Sequence, residues 1–402
     1  MLGVLAACAG PSPEVPTRDG ARPPVEDIAR RPAPAPSAAT AAVAPPALIA
    51  RENALWQPAA WADLPGWAGD SALRAWPALL ASCATPAPGW SAACASARAL
   101  ATPDEGRVRA WLESTLQPYR VGSLDGRTEG LATGYFEPLV PATRARPASR
   151  AVALHAPPAD LAGRKPWYTR AEIESLPAAR QSLAGREIAW VADPLDALLL
   201  QVQGSGRLAL TDAPGPDGRP QLVRLAYAGH NDRPYQSVAR WLVDRGAFTL
   251  EQASWPAIRA WARANPSRVQ EMLNANPRYV FFREEPLPDP TLGPRGAQGV
   301  PLTPGRSIAV DPRAVPYGTP VWLDTSEPAP WVAGLGAAGN AAAARPLQRL
   351  VVAQDTGSAI TGAVRADYFW GWGDGADEAA GRMKQPLRMW VLWPKEMAGA
   401  AP

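Results

Sequence analysis

From about residue 120 onward this chain is written as short segments of alternating character broken by Gly and Pro. That texture restricts it to a mainly β fold with flanking helices, because such strands can bury a face only by pairing into sheets. GLATGYFEPLV (130–140), REIAWVAD (186–193) and LVRLAYAGHN (222–231) alternate as strands, and ALLLQVQGSGRLAL (197–210) reads as strand, Gly turn, strand. Helical spacing takes over at 235–246, 250–264 and 266–274. Strand character returns from Tyr279 in RYVFFRE, SIAVD, PVWLD, RLVVAQD and RMWVLWP. Strands on both sides of a mixed middle permit a barrel interrupted by an insertion. Ahead of them, helices are expected at 70–84, 91–101 and 105–117, with ordered structure beginning near Trp56.

The N-terminal end differs in kind. MLGVLAACAG places small residues around Cys8 at the end of a short apolar run. This looks like a lipoprotein processing site, with 1–8 as a signal remnant and Cys8 as the lipidated residue. No basic segment precedes the run, so the reading expects a start codon further upstream. The alternative is an ordinary apolar terminus with a chance Cys. Residues 9–48 are rich in Pro, Ala and Arg and read as an extended tether.

Hydrophobic residues make up 47% and charged residues 19% of the 402, enough apolar material for a sizeable core. The net charge is +3 and the basic residues form no runs, which excludes a nucleic-acid tract. With only two His and no Cys cluster, zinc and iron–sulfur sites are excluded too. Once Cys8 is set aside, Cys83 and Cys94 remain, close together across a turn. They are expected to form a disulfide in an oxidising compartment, or to stay as reduced thiols in the cytosol. Trp is abundant at 17 residues, suited to cores and equally to flat ligand platforms.

The chemistry concentrates in AQDTGSAITGAVRADYFWGWGD (353–374), where Asp355 and Asp367 lie twelve residues apart. Asp367 is framed by Ala366, Tyr368, Phe369 and Trp370. A carboxyl among apolar groups loses hydration, its pKa rises, and it becomes a proton donor near neutral pH. The plainer alternative is a turn-capping Asp paired with Arg365 or Arg382. Glu137, in TGYFEP, is a second candidate carboxylate or else a structural surface residue, and Thr133 and Tyr135 of that segment are candidate substrate contacts. In QGSGR, Gly204 and Gly206 let backbone approach a ligand while Gln203, Ser205 and Arg207 offer hydrogen bonds; a plain hairpin turn is the alternative. In YAGHNDRPY, Tyr227 and Tyr235 are candidate stacking rings and Asn231 a polar contact, or the stretch is simply a loop. His230 has no marked partner for catalysis, and Asp311 reads as a turn-fixing residue.

TGYFEP (133–138), QVQGSGRL (201–208), YAGHNDRPYQSVAR (227–240), NPRYVFFRE (276–284), GVPLTPGRSIAVDPRAVPYGTPVWL (299–323) and AQDTGSAITGAVRADYFWG (353–371) occur in order, leading to GRMKQPLRMWVL (381–392). Over about 125 to 395 the chain thereby resembles the membrane-bound lytic murein transglycosylase A (MltA) family. The resemblance implies a double-psi β-barrel, an inserted β-rich domain at 141–281, and a substrate groove between them; 49–140 is expected to hold the N-terminal helices and the first part of the barrel, and 282–395 its second part. It places the catalytic aspartate on Asp367 and the second motif aspartate on Asp355. It implies cleavage of peptidoglycan glycan strands to 1,6-anhydromuramoyl ends without metal or organic cofactor. A lipid anchor would hold the protein on the periplasmic face of the outer membrane, with a murein synthase complex as a candidate partner. Two other readings remain: a hydrolase using both aspartates with water, and a non-catalytic wall-binding lipoprotein.

Overall fold

The computed structural model describes residues 46–397 apart from 150, 216–217, 251, 288, 329–343 and 374. Cys8, the 1–8 segment and most of the 9–48 tether lie outside the described residues. Among the described residues no helix is long and apolar enough to cross a membrane.

Order begins earlier than Trp56, with β1 (Ile49–Ala50) and β2 (Leu55–Pro58). Three helices follow: α1 (Ala72–Ser82), α2 (Ser91–Ala99) and α3 (Glu105–Thr115). Glu105, in the first turn of α3, accepts the Ala72 and Leu73 amides of α1 at 2.9 and 3.1 Å. A carboxylate there satisfies free N–H groups and complements the helix dipole. Cys83, just past α1, is bonded to Cys94 of α2.

The main sheet has nine strands. Its members are β1, β2, β3 (Leu116–Gly122), β4 (Gly130–Tyr135), β11 (Ser307–Val310), β12 (Pro320–Ser326), β13 (Pro346–Asp355), β14 (Arg365–Phe369) and β15 (Lys384–Pro394), in the order β1-β2-β3-β15-β12-β13-β11-β14-β4. The long β15 pairs with β12 and β3 and also, through Lys384–Leu387, with β4. Strands β15, β12, β13, β11, β14 and β4 therefore hydrogen-bond into a closed ring, which removes the free edges of an open sheet. Short α10 (Ala376–Arg382) leads into β15. Trp56, Trp76, Trp90, Trp322, Trp390 and Trp393 are buried in the core that joins this sheet to the N-terminal helices. These rings serve packing, not ligand platforms.

Between β4 and β11 the chain builds a second sheet, in the order β10-β9-β8-β5. Its strands are β5 (Leu139–Ala142), β8 (Gly206–Pro214), β9 (Pro220–His230) and β10 (Val280–Pro286). A pair, β6 (Val152–His155) and β7 (Glu187–Val191), lies beside it with α4 (Arg170–Ser175) and α5 (Pro177–Leu183). Helices α7 (Val238–Val243), α8 (Trp255–Ala264) and α9 (Val269–Asn274) share an apolar cluster, and all three are shorter than their spacing suggests.

Two expectations are corrected. The stretch 197–210 is not a hairpin: Pro194–Gln203 is a helix, α6, and only Gly206 onward is strand. Its apolar run fits a buried helix as well as a strand. The ends decide it: Asp193 accepts the Leu195 amide, Pro194 sits in the first turn, and Gly204 closes the helix at φ 77°. The expected helix 105–117 stops at Thr115, because Leu116 onward pairs with β15 and β2.

Candidate active site

Five strands of the ring carry the motif residues on one level. Ala309 of β11 pairs with Asp355 of β13 on one side and with Asp367 of β14 on the other. Asp367 pairs in turn with Thr133 of β4, and Thr133 with Lys384 of β15. Register partners point to the same face of a sheet. Asp355, Asp367, Thr133 and Lys384 therefore share a face, and Ala309 offers only a methyl between the two carboxyls. The two-residue period of β14 puts Ala366 and Tyr368 in the core on the opposite face.

The Thr133 hydroxyl donates to Asp367 Oδ1 at 2.5 Å. Arg365 Nη2 donates to Thr133 Oγ1 at 2.8 Å. That bond occupies a lone pair of Thr133 and turns its proton onto the aspartate. Asp355 is held from both sides: Tyr135 OH donates to Oδ2 and the Ala297 amide to Oδ1, each at 2.9 Å. Gly134, between Thr133 and Tyr135, has no room for a side chain, since a Cβ would lie 2.6 Å from Trp370 Nε1 and 2.9 Å from Ala380 Cα.

Burial raises the pKa of both carboxyls. Asp355 is pushed up to about 6 by desolvation, against the hydrogen bonds that favour its anion, and the charge of Asp367 adds to the rise. Desolvation also raises Asp367, opposed by the Thr133 hydroxyl and the Arg365 charge. The two differ in their bonding. Asp355 has a donor on each oxygen, whereas Asp367 has one on Oδ1 alone among the described residues. Oδ2 of Asp367 is thus the carboxyl oxygen that has no donor among the described residues.

Glu137 lies where the chain crosses from β4 to β5, and it is neither exposed nor near the two aspartates' hydrogen bonds. Its side chain is 0% exposed, with Arg207 Nε at 2.8 Å and Arg224 Nε at 2.7 Å. Arg207 donates onward to the carbonyls of Pro290 and Leu292, and its guanidinium lies 4.1 Å from the Trp372 ring centroid. The Glu137 amide donates to Gly371 O. Glu137, through its carboxylate and its amide, thus ties together the outgoing segment, the returning segment and the turn after β14. Arg207, expected to face hydroxyls, is wholly engaged here.

The remaining expected residues divide. Gln203 Oε1 accepts the Phe136 amide at 3.2 Å, next to Tyr135, so the end of α6 reaches the aspartate row. Ser205 is half-buried beside it. Gly206 serves packing, because a Cβ there would meet Leu200 Cδ2 at 2.1 Å and Pro138 O at 3.2 Å. Asn231 is 0% exposed and structural, donating to Tyr168 O and Pro277 O and accepting the Tyr279 amide. Tyr227 and Tyr235 are 47% and 37% exposed. His230 accepts the Asp232 amide, and Asp311 holds Asn53, Arg313 and the Gly362 amide. Arg365 bonds to Thr133 and Arg382 to Glu378. Three contributors are not singled out by sequence reading: the Ala297 amide, Arg224, and Lys384 within GRMKQPLRMWVL. An amide carries no side-chain signal, but Lys384 is one of only three lysines in an arginine-rich chain.

Residues 131–283 match the MltA specific insert domain, and residues 306–393 match the 3D domain. A membrane-bound lytic murein transglycosylase A of Vibrio cholerae is 31% identical over 288 residues, covering 69% of each chain. The chain belongs to the membrane-bound lytic murein transglycosylase A family. Among solved structures, the lytic transglycosylase LtgG of Burkholderia pseudomallei is 45% identical, covers 88% of this chain and 98% of its own, and superposes with a TM-score of 0.57. MltA from Neisseria gonorrhoeae is 29% identical over 87% of this chain and 95% of its own, with a TM-score of 0.70. Within this MltA-family chain the 3D-domain match contains both aspartates, while Thr133 and Tyr135 fall in the insert-domain match.

Proposed function

We propose that this protein is a lytic transglycosylase that cleaves the β-1,4 bond between N-acetylmuramic acid and N-acetylglucosamine in peptidoglycan, with Asp367 as acid and then base. The observation that carries the reading is the bonding of Asp367. It is a desolvated carboxyl held on Oδ1 by an oriented hydroxyl, with Oδ2 unengaged among the described residues. Protonated Asp367 gives its proton to the glycosidic oxygen as the bond to the muramoyl anomeric carbon breaks. The C6 hydroxyl of the same muramoyl residue attacks that carbon and returns its proton to Asp367. A 1,6-anhydro ring forms and no water is consumed. Intramolecular attack carries an effective concentration of order 10⁵ M or more in good geometry, so one carboxyl suffices where ordinary glycosidases need two. Asp355, fixed by two donors, orients the site and its anion offsets positive charge developing at the anomeric carbon.

We read the closed ring as the double-psi barrel. The glycan groove runs along the aspartate row toward Gln203 and Ser205, with Tyr227 and Tyr235 as exposed rings for sugars. The protein is held on the periplasmic face of the outer membrane through Cys8, a reading supported by the LAAC segment and tested by loss of membrane fractionation in Cys8→Ser.

The test is the Asp367→Asn variant on purified sacculi. Cleavage is expected to stop while murein binding and the melting temperature are kept, and full residual cleavage would remove Asp367 from the acid role. Mass spectrometry of the wild-type fragments separates transglycosylase from hydrolase, since an anhydro end is lighter than a reducing end by one water.

A further inference from the structure

The aspartate row ends in a cation that the mechanism does not use. Lys384 is the register partner of Thr133, the residue that holds Asp367, and it begins β15. Neighbouring strands lie about 4.8 Å apart, so the Lys384 and Asp367 backbones are separated by roughly two such spacings. The two side chains stand on the same face. Lys384 is exposed, and among the described residues no hydrogen bond or ion pair engages its ammonium. The other cation beside Asp367 is committed: Arg365 bonds to Thr133 and to the Ala366 carbonyl. The row thus presents, in order, a carboxylate held by two donors, a proton-donating carboxyl, a hydroxyl and an unengaged ammonium.

Muramic acid differs from glucosamine by a lactyl ether at C3, two ring carbons from the anomeric carbon that reacts. That arm ends in a carboxylate when bare and carries the carboxylates of a peptide when substituted. We infer that Lys384 is a specificity-determining residue that pairs with a carboxylate on the C3 arm of the muramoyl unit and so sets which sugar lies over Asp367. The inference rests on the transglycosylase reading. A chain of alternating sugars has two registers over the acid, and only one puts a muramoyl C1 at the bond to be broken. A neutral row would hold both registers alike. A flexible point charge one strand beyond the hydroxyl favours the register with the arm beside it.

The experiment measures binding by the full chain in an Asp367→Asn background, with and without Lys384→Met. The probes are a bare muramoyl-containing oligosaccharide, its peptide-bearing counterpart, and a neutral N-acetylglucosamine hexamer. An exposed charge pair predicts about a fivefold loss of affinity for a lactyl-bearing probe, erased at high salt, with the neutral hexamer unchanged. Lys384→Arg is expected to restore most of the loss. Loss on the bare probe alone identifies the lactyl carboxylate as the partner, and loss on the peptide-bearing probe alone identifies the peptide. Equal loss on all three probes, or loss on none, would overturn the inference. Turnover by the Asp367→Asn chain itself speaks only to the acid assignment, so the two readings fail separately.

Discussion

Asp355 and Asp367 are both register partners of Ala309, one on each side of it, so the two carboxyls stand at one level on strands separated by a third. Twelve residues of sequence separation become a fixed lateral spacing of about two strand widths. Parallel pairing of β11 with β13 and antiparallel pairing with β14 achieve this.

Removing the hydroxyl that holds Asp367 tests the acid–base cycle. Thr133→Val deletes a bond to a group that becomes charged in the reaction, and such bonds contribute about 1.5–3 kcal/mol. The rate is expected to fall about 10- to 100-fold. Because the Thr133 bond lowers the Asp367 pKa, its loss raises that pKa, and the alkaline limb of the rate profile moves to higher pH. A rate loss with no movement of that limb would assign Thr133 to packing alone.

Asp355 predicts a trade between stability and activity. Its carboxyl titrates near 3.8 when unfolded and about 6 when folded. The proton-bound form therefore favours folding, fully below about 3.8, and this contribution is lost as pH rises through about 6. Asp355→Asn is expected to be more stable than the parent by about 1–3 kcal/mol at pH 7.5 and equal to it at pH 3.5, with glycan cleavage reduced. Urea midpoints at the two pH values check this, and a gain that does not change with pH would contradict it.

The Glu137 cluster predicts a large structural effect. Glu137→Ala leaves two arginines buried without their counter-charge, and breaking such a group costs about 3–5 kcal/mol. Denaturant unfolding measures the loss. A change below about 1 kcal/mol, within the range of exposed pairs, would show that solvent reaches the cluster.

Cys83 and Cys94 close a short loop, eleven residues apart in sequence. Replacing both with Ser is expected to cost about 2–3 kcal/mol, chiefly through greater freedom of the unfolded chain. Glycan cleavage at 25 °C is expected to fall as well, because Ser82, next to Cys83, hydrogen-bonds Gln298 and Gln354, the neighbours of Ala297 and Asp355. An unchanged kcat alongside the loss of stability would show that this end of α1 does not set the site.

Local pattern was enough to read β10 to β13, β15, the three N-terminal helices and both aspartates, but not β14, the strand that carries Asp367. Alternation and apolar spacing are properties of adjacent residues, and they survive in any fold that buries one face. Where the run is apolar on all sides, as in Leu198–Leu200, periodicity is silent and the caps at Asp193 and Gly204 choose the helix. Segment 130–140 reads as one strand yet serves two sheets, because Pro138 and buried Glu137 interrupt the pairing.

What the sequence by itself determined is the family, the β-rich class and the pair of acids, since each is carried by residues close together in the chain. What only the tertiary structure decided is which residues face a ligand and which hold the frame. Arg207 and Asn231 stand in polar motifs but are buried in hydrogen bonds to distant segments, while Lys384, in a motif that offered no candidate site residue, arrives beside Thr133 and two strands from Asp367 through strand register. The reason is that burial and register depend on pairings between segments far apart in the chain, 48 and 70 residues for Asn231 and Arg207 and more than two hundred for Thr133 with Asp367 and Lys384, and no local pattern of side chains encodes the partner strand.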